Sequence, residues 1–424
     1  MKINIPESDQ ERIVIVGGGF AGLMLARKLA KSHYQVVLID KNNYHQFQPL
    51  FYQVAMAGLE PSSIVFPLRK FFHGRRNVFI RVTEVLKVRH ENRQLDTTLG
   101  HVNYDHLILA TGADTNFFGN DELRKHSIPM KSVSEALFLR NRILSDYEKA
   151  LSITDYETRQ QLIDIVIVGG GPTGVEIAGS LAEMKKYIIP KDYPELDAGE
   201  IDIYLVQGGD QLLKGMSEAS SEKSLKFLQN LGVKVILNDR VVKLDGEKVY
   251  LTQGDPIPAQ KVIWAAGIRG NIPEGMPEET RAPGNRLIVD EQLRVQGMPG
   301  IYAIGDLACM QTEELPYGHP QVAQVAMQQA KFLAKAIKKK KAAQKGFQYK
   351  DLGSMATVGR HRAVVDLPNW KFQGAFAWFV WLFVHLFQLL GAKNKLFVFI
   401  NWVWNYLTYD QSLRLIIRPY QKQG

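Results

Sequence analysis

An internal duplication constrains the fold more than any other feature of the sequence. Residues 12–22 read Arg-Ile-Val-Ile-Val-Gly-Gly-Gly-Phe-Ala-Gly, and residues 164–174 read Asp-Ile-Val-Ile-Val-Gly-Gly-Gly-Pro-Thr-Gly. Each copy is an apolar run followed by glycines, which is typical of a strand buried on both faces of a parallel sheet. The two copies therefore predict an α/β fold with two Rossmann-like domains.

The other helices and strands are predicted from the periodicity of the apolar residues. Helices are expected after the two glycine turns, over residues 23–30 and 175–184, and again over residues 322–338. Strands are expected over residues 35–39, 78–82, 106–110, 201–206, 233–237, 261–265 and 300–304. Residues 354–365 have the pattern of a hairpin around Gly359 and Arg360, and after Asn369 the chain becomes rich in aromatic and aliphatic residues.

The spacing of the glycines indicates a dinucleotide-binding loop in each copy. In such a loop the first glycine permits a tight turn, the second lets the backbone approach a pyrophosphate, and the third lets the helix pack on the strand. These positions hold Gly17, Gly19 and Gly22 in the first copy, and Gly169, Gly171 and Gly174 in the second. The motif is specific here because it follows a strand and opens a helix.

Carboxylates and small residues accompany the two loops. The strand after the first loop ends at Asp40, 23 residues after Gly17, where a carboxylate can bind both hydroxyls of a ribose. Ala110-Thr111-Gly112 and Ala265-Ala266-Gly267 end apolar strands with small residues, so the chain can pass close to a cofactor there. Asp306 ends a further strand and is placed to meet the ribityl and phosphate part of a flavin.

Composition and charge exclude several classes of protein. Cys309 is the single cysteine, so we expect no intramolecular disulfide, no redox pair and no cysteine zinc cluster, and a reducing compartment. No secretory signal is expected at the polar N-terminus. The net charge of +9 fits nucleic acid or an anionic membrane surface, but no nucleic-acid-binding module is present, and we expect no nucleic-acid partner. The four lysines at 338–341, which a solvated linker also explains, precede the apolar tail and favour the membrane.

These motifs resemble those of the type II NADH dehydrogenases, which are single-subunit NADH:quinone oxidoreductases. The resemblance covers nearly the whole chain. It is carried by Tyr-His-Gln-Phe-Gln-Pro-Leu-Phe-Tyr-Gln-Val-Ala at 44–55, Gly-Gly-Gly-Pro-Thr-Gly-Val-Glu at 169–176, Ala-Gln-Val-Ala-Met-Gln at 323–328, and the Trp- and Phe-rich tail that ends near Pro419. It implies FAD at the first glycine loop, NADH at the second, quinone access beside the flavin, and neither a metal nor an iron–sulfur cluster.

The motifs and the resemblance together define the candidate site residues. The expected FAD-binding residues are Gly17, Gly18, Gly19, Phe20, Ala21, Gly22, Asp40, Lys41, His45, Val82, Ala110, Thr111, Gly112, Asp306, Ala323 and Gln324. The expected NADH-binding residues are Gly169, Gly171, Thr173, Gly174, Glu176, Gln207, Ala266 and Gly267. The expected catalytic residues are Glu176, Gln324 and Gln328. His45 is placed along the flavin by the resemblance alone, since a lone loop histidine is usually structural.

Glu176 stands where the first copy of the duplication has Met24, so an apolar helix position has become a carboxylate. The resemblance implies that Glu176 lies close to the nicotinamide and the flavin, where it orients NADH or relays protons. Quinone reduction consumes protons, so a titratable group is chemically useful there. The alternative interpretation is a solvated or capping glutamate near a helix N-terminus.

Gln324 and Gln328 lie on one helical face at i, i+4 spacing, with the small Ala323 and Ala326 beside them. Two amides can bind quinone carbonyl oxygens or flavin edges without adding charge to an apolar slot. Gln321 and Gln329 make the same helix rich in glutamine, so a plain polar helix is the alternative.

One position departs from the family pattern. The strand after the second glycine loop usually ends in a glutamate that binds the adenosine ribose of NADH, whereas this chain has Gln207 there. A neutral amide cannot repel the 2′-phosphate of NADPH. No arginine follows immediately to attract that phosphate. NADH is the expected coenzyme, and NADPH is not excluded.

Residues 374–391 form an uncharged apolar stretch of 18 residues, which is at the lower limit for crossing a bilayer. A second apolar stretch, residues 396–407, is too short to span. Five of the six tryptophans lie at or beyond Trp370, and tryptophan prefers the headgroup level. We expect two helices lying in the membrane interface, as the resemblance also implies. A single marginal spanning helix, or a tail buried against the domains or a partner chain, are the alternatives.

The expected function is the transfer of hydride from NADH to FAD and of two electrons to a membrane quinone, without proton pumping. The FAD-binding domain is predicted over residues 1–115 and 286–345, the NAD(P)H-binding domain over 116–285, and a membrane-anchoring region over 346–424. We expect a peripheral protein on the cytoplasmic face of the inner membrane, and a homodimer stays open. The alternatives are a reductase of a soluble electron carrier and a non-enzymatic flavin redox sensor, while sulfide:quinone reduction needs paired cysteines that are missing.

Overall fold

The computed structural model describes residues 1–339, 345–410 and 413–417. The chain divides into two compact units, each built from three segments. The first unit comprises Met1–Gln46, Phe66–Asp114 and Ile268–Asp351. The second unit comprises Phe47–Val65, Thr115–Gly267 and Leu352–Gly424. The domain limits drawn from the sequence stay a prediction, and each unit is described here by itself.

The first unit is built on a sheet of five parallel strands. Their order across the sheet is Ile301–Ala303, His106–Leu109, Arg12–Val16, Gln35–Asp40 and Val78–Val82. The central strand carries the first glycine loop, and its residues Ile13, Val14 and Ile15 are fully buried. Burial on both faces explains why this strand is a continuous apolar run rather than an alternating one.

The second unit repeats this plan. Its parallel sheet has the order Ile128–Pro129, Lys261–Trp264, Ile165–Val168, Ile203–Gln207 and Lys234–Leu237. In both sheets the strand before the glycine loop pairs with the next strand of its own half on one side. On the other side it pairs with the strand that ends in Ala-Thr-Gly or Ala-Ala-Gly. The duplication seen in the sequence is therefore a duplication of topology, and the predicted α/β class is confirmed.

Helices and small antiparallel sheets complete the units. The helices are Phe20–Leu29, Leu68–Phe71 and Ala323–Lys339 in the first unit, and Phe51–Ala55, Pro61–Ile64, Asp121–His126, Val133–Ala150, Tyr156–Ile163, Pro172–Tyr187, Ile189–Asp192, Glu218–Asn230, Ala375–Gln388 and Ala392–Thr408 in the second. The antiparallel strands are Val85–Arg89, Gln94–Thr97 and Gly100–Asn103 in the first unit, and Val241–Leu244, Lys248–Leu251, Ile257–Pro258, Ser354–Thr357, Ala363–Leu367 and Trp370–Gly374 in the second. Further short strands are Tyr44–Gln46, Val65–Pro67, Ala113–Thr115, Ile268–Gly270, Arg281–Ala282, Arg286–Ile288 and Ala308–Cys309.

The boundaries predicted from the sequence need three corrections. Both glycine helices begin three residues earlier than predicted, at Phe20 and Pro172, because they start inside the glycine loop and not at the first apolar residue. Proline is well suited to the first helical turn, where its missing N–H is not needed. The predicted hairpin gains a third strand, Trp370–Gly374, which pairs with Ala363–Leu367.

The C-terminal segment forms two helices that pack into the second unit. Trp381 of Ala375–Gln388 and Val398 of Ala392–Thr408 are completely buried. Trp402 donates to Gln53 Oε1 at 2.7 Å, and Asn405 donates to the Gly58 carbonyl at 3.2 Å. Within the described ranges, no helix is long and apolar enough to cross a membrane.

The stability of the second unit should depend on the missing side chain at Gly174. A methyl group there would lie 1.9 Å from the carbonyl oxygen of Gly169, which as backbone cannot yield. We expect Gly174→Ala to lower the free energy of unfolding by at least about 1–3 kcal/mol. In Gly171→Ala the methyl group meets nothing within 4 Å, and the loss should stay below about 1 kcal/mol. Denaturant unfolding measures both, and equal stabilities would contradict the argument.

Candidate functional site

The first glycine loop is closed by backbone contacts and leaves one open side. Gly17 has a φ of +105°, and a methyl group there would lie 2.2 Å from the Ala110 carbonyl oxygen. A methyl group on Gly22 would lie 1.9 Å from the Gly17 carbonyl oxygen. Gly19, by contrast, faces open space at the N-terminus of helix Phe20–Leu29. Open space at a helix N-terminus, where backbone N–H groups point out of the helix, fits a diphosphate, as the sequence predicts.

Asp40 closes the loop from the neighbouring strand. Its carboxylate accepts hydrogen bonds from the backbone N–H of Gly18 and of Asn42, each at 2.6 Å. Burial raises the pKa of Asp40, against the lowering effect of these two hydrogen bonds. The carboxylate therefore stands beside the loop, at the position where a ribose is expected. Lys41 follows Asp40 in the chain and Val82 pairs with Asp40 in the sheet, and both are exposed.

His45, in the short strand Tyr44–Gln46, contacts the same loop. Its Nδ1 lies 3.0 Å from the Gly18 carbonyl oxygen, and its ring meets that of Phe20 edge to face. Burial lowers the pKa of His45. A neutral, buried imidazole bonded to backbone fits the structural interpretation, so His45 would act on a cofactor through the loop that it holds.

Two glutamines that the sequence analysis set aside hold the Asp306 loop. Gln329 is fully buried and accepts the Gly305 N–H on its Oε1 at 2.7 Å. Gln321 donates to the Asp306 carbonyl at 2.8 Å. Gln329 belongs to helix Ala323–Lys339, whereas Gln321 lies in the segment just before it.

The Ala110–Gly112 segment is held within the first unit as well. Thr111 donates its hydroxyl to the Asn271 carbonyl at 2.6 Å, and the Asn271 N–H returns to the Gly112 carbonyl at 3.0 Å. Gly112 has a φ of +67°, and a methyl group there would meet nothing within 4 Å. Close passage of a cofactor is possible on this open side.

Gln324 and Gln328 of helix Ala323–Lys339 both face the segment at residues 350–351. Gln328 exchanges two hydrogen bonds with the backbone of Lys350, donating at 2.8 Å and accepting at 3.0 Å. Gln324 donates to Asp351 at 3.5 Å. Both side chains are half-buried. The shared helix face predicted from the sequence is confirmed, whereas a role in quinone binding stays a prediction.

The second glycine loop repeats the geometry of the first. Gly169 has a φ of +110°, and a methyl group there would lie 2.6 Å from the Ala265 carbonyl oxygen. Gly171 faces open space at the N-terminus of helix Pro172–Tyr187, and Thr173 is exposed beside it. Ala266 is half-buried and Gly267 exposed, at the end of the neighbouring strand. The loop therefore fits a second diphosphate.

Gln207 takes the place that Asp40 has in the first loop. Its Oε1 accepts the Gly170 N–H at 2.8 Å, as Asp40 accepts the Gly18 N–H. Its Nε2 donates to the Gln211 carbonyl at 3.3 Å. The amide thus closes the loop without a negative charge, which a carboxylate would bring.

Arg240 is a neighbour of this position that the sequence analysis missed. A methyl group on Gly208 would lie 3.1 Å from Arg240 Cγ and 3.3 Å from its Nε. Arg240 follows strand Lys234–Leu237, which pairs with the strand that ends in Gln207. No arginine directly follows Gln207 in the sequence. Loops after adjacent parallel strands converge at one edge of the sheet, and that rule points to residue 240.

Glu176 is buried on the helix that follows the second loop. Its Oε1 lies 3.5 Å from the backbone N–H of Thr357, which donates to it. Burial raises the pKa of Glu176 to about 8, although the Thr357 N–H and the neighbouring Trp381 indole both act to lower it. Its burial contradicts the alternative of a solvated glutamate. A carboxyl group with its pKa raised in this way is suited to proton transfer at neutral pH.

A chain of hydrogen bonds leads from Glu176 to the last helix. The Tyr52 hydroxyl lies 3.1 Å from the Thr357 hydroxyl, and Gln53 donates to Tyr52 Oη at 2.8 Å. Gln53 in turn accepts from the Trp402 indole at 2.7 Å. Tyr52 and Gln53 belong to the sequence segment 44–55, but neither was among the predicted site residues. They link helix Phe51–Ala55 to the hairpin and to the last helix.

The two C-terminal helices leave a broad apolar surface exposed. The side chains that form it are Phe376, Phe379, Phe383, Phe387, Leu396, Phe397, Phe399, Ile400, Val403, Trp404 and Leu407. Exposed apolar side chains in this number on two neighbouring helices mark a site of interaction with a membrane or a protein. Of the basic run at 338–341, Lys340 and Lys341 lie outside the described residues.

The duplicated sheets and the two open glycine loops define a class of protein with two dinucleotide sites. The family model described as pyridine nucleotide-disulphide oxidoreductase matches residues 11–330. The chain belongs to this class. The model described as the NDH2 C-terminal domain matches residues 352–409, which include the hairpin and both C-terminal helices.

Similar proteins narrow the class to one family. The chain is 33% identical over 416 residues to a type II NADH:quinone oxidoreductase of Mycobacterium tuberculosis, covering 94% of this chain and 89% of that protein. A second such enzyme of that organism is also 33% identical, with coverages of 93% and 86%. The solved structure of NDH2 from Plasmodium falciparum in complex with NADH has the same fold, with a TM-score of 0.86, 24% identity, and coverages of 96% and 100%. The chain belongs to the type II NADH:quinone oxidoreductase family.

Proposed function

We propose that this protein oxidises NADH and reduces a membrane quinone with FAD as its cofactor. The observation that carries the proposal is the pair of glycine loops, each with an open second glycine at a helix N-terminus. Family membership supports the assignment of FAD to the first loop and NADH to the second. When bound, FAD supplies the redox chemistry, since it can accept hydride from NADH and give two electrons to a quinone.

The protein's own residues bind the cofactor, orient the substrates and supply protons. Asp40 holds the adenosine ribose of FAD beside the Gly17–Gly22 loop, and the Asp306 loop meets its phosphates. Glu176 keeps a proton at neutral pH because its pKa is raised to about 8. Its Oε1 accepts the Thr357 N–H, so Oε2 holds the proton that quinone reduction consumes. Gln324 and Gln328 stay our candidates for the quinone half of the reaction, with Gln328 acting partly through the backbone of Lys350.

Anaerobic stopped-flow absorbance tests the proposed activity in two steps. NADH should bleach the flavin band of the purified protein, and a short-chain quinone should then restore it. The rates of both steps should account for steady-state turnover. Reoxidation by a ferredoxin or rubredoxin but not by quinone would make the protein a soluble-carrier reductase. Reduction without reoxidation by any acceptor would make it a redox sensor.

The coenzyme preference should depend on Gln207 and Arg240. We propose that Arg240 attracts the 2′-phosphate of NADPH, while Gln207 leaves that phosphate unopposed. Arg240→Ala should lower kcat/KM for NADPH about tenfold, as loss of about one charge-assisted hydrogen bond implies, and change kcat/KM for NADH little. Gln207→Glu should raise the preference for NADH. If neither variant changes the NADH-to-NADPH ratio, then these residues do not face the adenosine ribose.

We propose that the exposed aromatic surface lies in the membrane interface, with the protein peripheral to the membrane. Deletion after Asn369, the obvious test, would also remove the buried Trp381. Phe383→Ser combined with Phe387→Ser changes only exposed side chains and should weaken binding to lipid vesicles at least tenfold, or about 1.4 kcal/mol. NADH oxidation with a water-soluble acceptor should persist. The control Leu99→Ser removes an exposed apolar side chain of the first unit, and an equal loss of binding there would contradict the proposal.

A further inference from the structure

One face of helix Pro172–Tyr187 meets the turn of the C-terminal hairpin at three successive positions. Glu176, Gly179 and Glu183 lie at i, i+3 and i+7, and so share that face. Glu176 accepts the N–H of Thr357, and Glu183 accepts the N–H of Arg360. Both carboxyl groups of this face therefore bind backbone of the same turn.

Gly179, between the two glutamates, permits the close approach. A methyl group there would lie 2.5 Å from the Gly359 nitrogen and 2.9 Å from the Val358 carbonyl carbon. Gly359 in turn has a φ of +71°, and a methyl group on it would lie 2.9 Å from Glu183 Oε1. Because the backbone of Gly179 touches the backbone of the turn and the Glu183 side chain touches Gly359, little room is left for the turn to move on this helix.

Glu183 is held there by charge as well as by hydrogen bonding. Burial raises the pKa of Glu183 to about 7, while the Arg360 N–H and the positive charges of Arg360, Arg362 and Lys186 act to lower it. The Arg360 guanidinium also stacks 3.8 Å from the Tyr409 ring centroid and donates to the Tyr406 carbonyl at 2.7 Å. Arg360 therefore joins Glu183 to the end of the last helix.

The hydrogen bond from the Thr357 N–H to Glu176 depends closely on the position of the turn. Its length of 3.5 Å is at the outer limit for an N–H donor. A small displacement of the turn would break it and leave the carboxyl group more poorly solvated. The groups that face Glu176 from its other neighbours are the Tyr52 hydroxyl and the Trp381 indole, and both are neutral. Among the groups that the structure places around Glu176, no cation could stabilise its carboxylate in place of the Thr357 N–H.

We propose that Glu183 is a positioning residue, which with Gly179 seats the hairpin turn so that the Thr357 N–H reaches the carboxyl group of Glu176. The proposal rests on the proton-donating role given to Glu176 in the proposed function. The helix face at residues 176, 179 and 183 then serves the reaction by holding the turn against Glu176, and it also attaches the C-terminal segment.

The test is the titration of Glu176 in the FAD-loaded protein without turnover. Infrared spectroscopy follows the carbonyl band of its protonated form, identified by its absence in Glu176→Gln. Glu183→Ala should release the turn and raise the pH at which this band disappears by about one unit, because a hydrogen bond to the ionised carboxylate is lost. Glu183→Gln keeps an acceptor for the Arg360 N–H and should leave the midpoint unchanged or slightly lower.

The direction in which the midpoint of Glu176 shifts distinguishes an effect of the position of the turn from an effect of the charge of Glu183. Removing a neighbouring negative charge would by itself lower the midpoint of Glu176, so a downward shift in Glu183→Ala overturns the proposal, as does no shift. Gly179→Ala, which displaces the turn without changing charge, should also raise the midpoint. If one of these variants does not fold, the other decides. Should the wild type fail to reduce quinone, the proposed function fails, but the titration still reports whether Glu183 positions the turn.

Discussion

Each half of this protein depends on a contact in which the third glycine of a loop touches the carbonyl oxygen of the first. At Gly22 and at Gly174 alike, a methyl group would lie 1.9 Å from that oxygen. The contact seats the helix directly over the end of the central strand. The N-terminus of the helix therefore lies beside the open second glycine. Asp40 and Gln207 close the two loops from the neighbouring strand.

The two glycine loops are closed by the same hydrogen bond but by different side chains. Asp40 and Gln207 each accept the N–H of the middle glycine, so loop closure needs an oxygen acceptor but not a charge. In the first loop the acceptor is a carboxylate, which also suits the two hydroxyls of a ribose. In the second it is an amide, and the nearby Arg240 makes the surroundings more positive. The acceptor oxygen thus closes the loop, while the charge of the side chain at this position is free to differ between the two loops.

Features with a regular local spacing could be predicted from the sequence, whereas contacts between residues far apart in the chain could not. The glycine loops, the parallel strands and the shared face of Gln324 and Gln328 follow from local spacing, and the structure confirms them. The contacts of Arg240 with Gly208, of Gln329 with Gly305 and of Glu183 with Arg360 join residues that are 32, 24 and 177 positions apart. Such pairs are created by strand order and by the docking of the hairpin turn, which no local periodicity records. The burial of Glu176 was missed for that reason, since the residues that cover it come from the end of the chain.

The hydrogen bonds between helix Phe51–Ala55 and the C-terminal part of the second unit have a consequence for how the protein is made. During synthesis the N-terminal part of a chain emerges first. Tyr52 and Gln53 are therefore translated early, and their partners Thr357 and Trp402 follow 305 and 349 residues later. The second unit cannot complete its core before these partners have emerged. Until then the apolar side chains around Tyr52 lack their partners in the nascent chain, which favours aggregation over that stretch of synthesis.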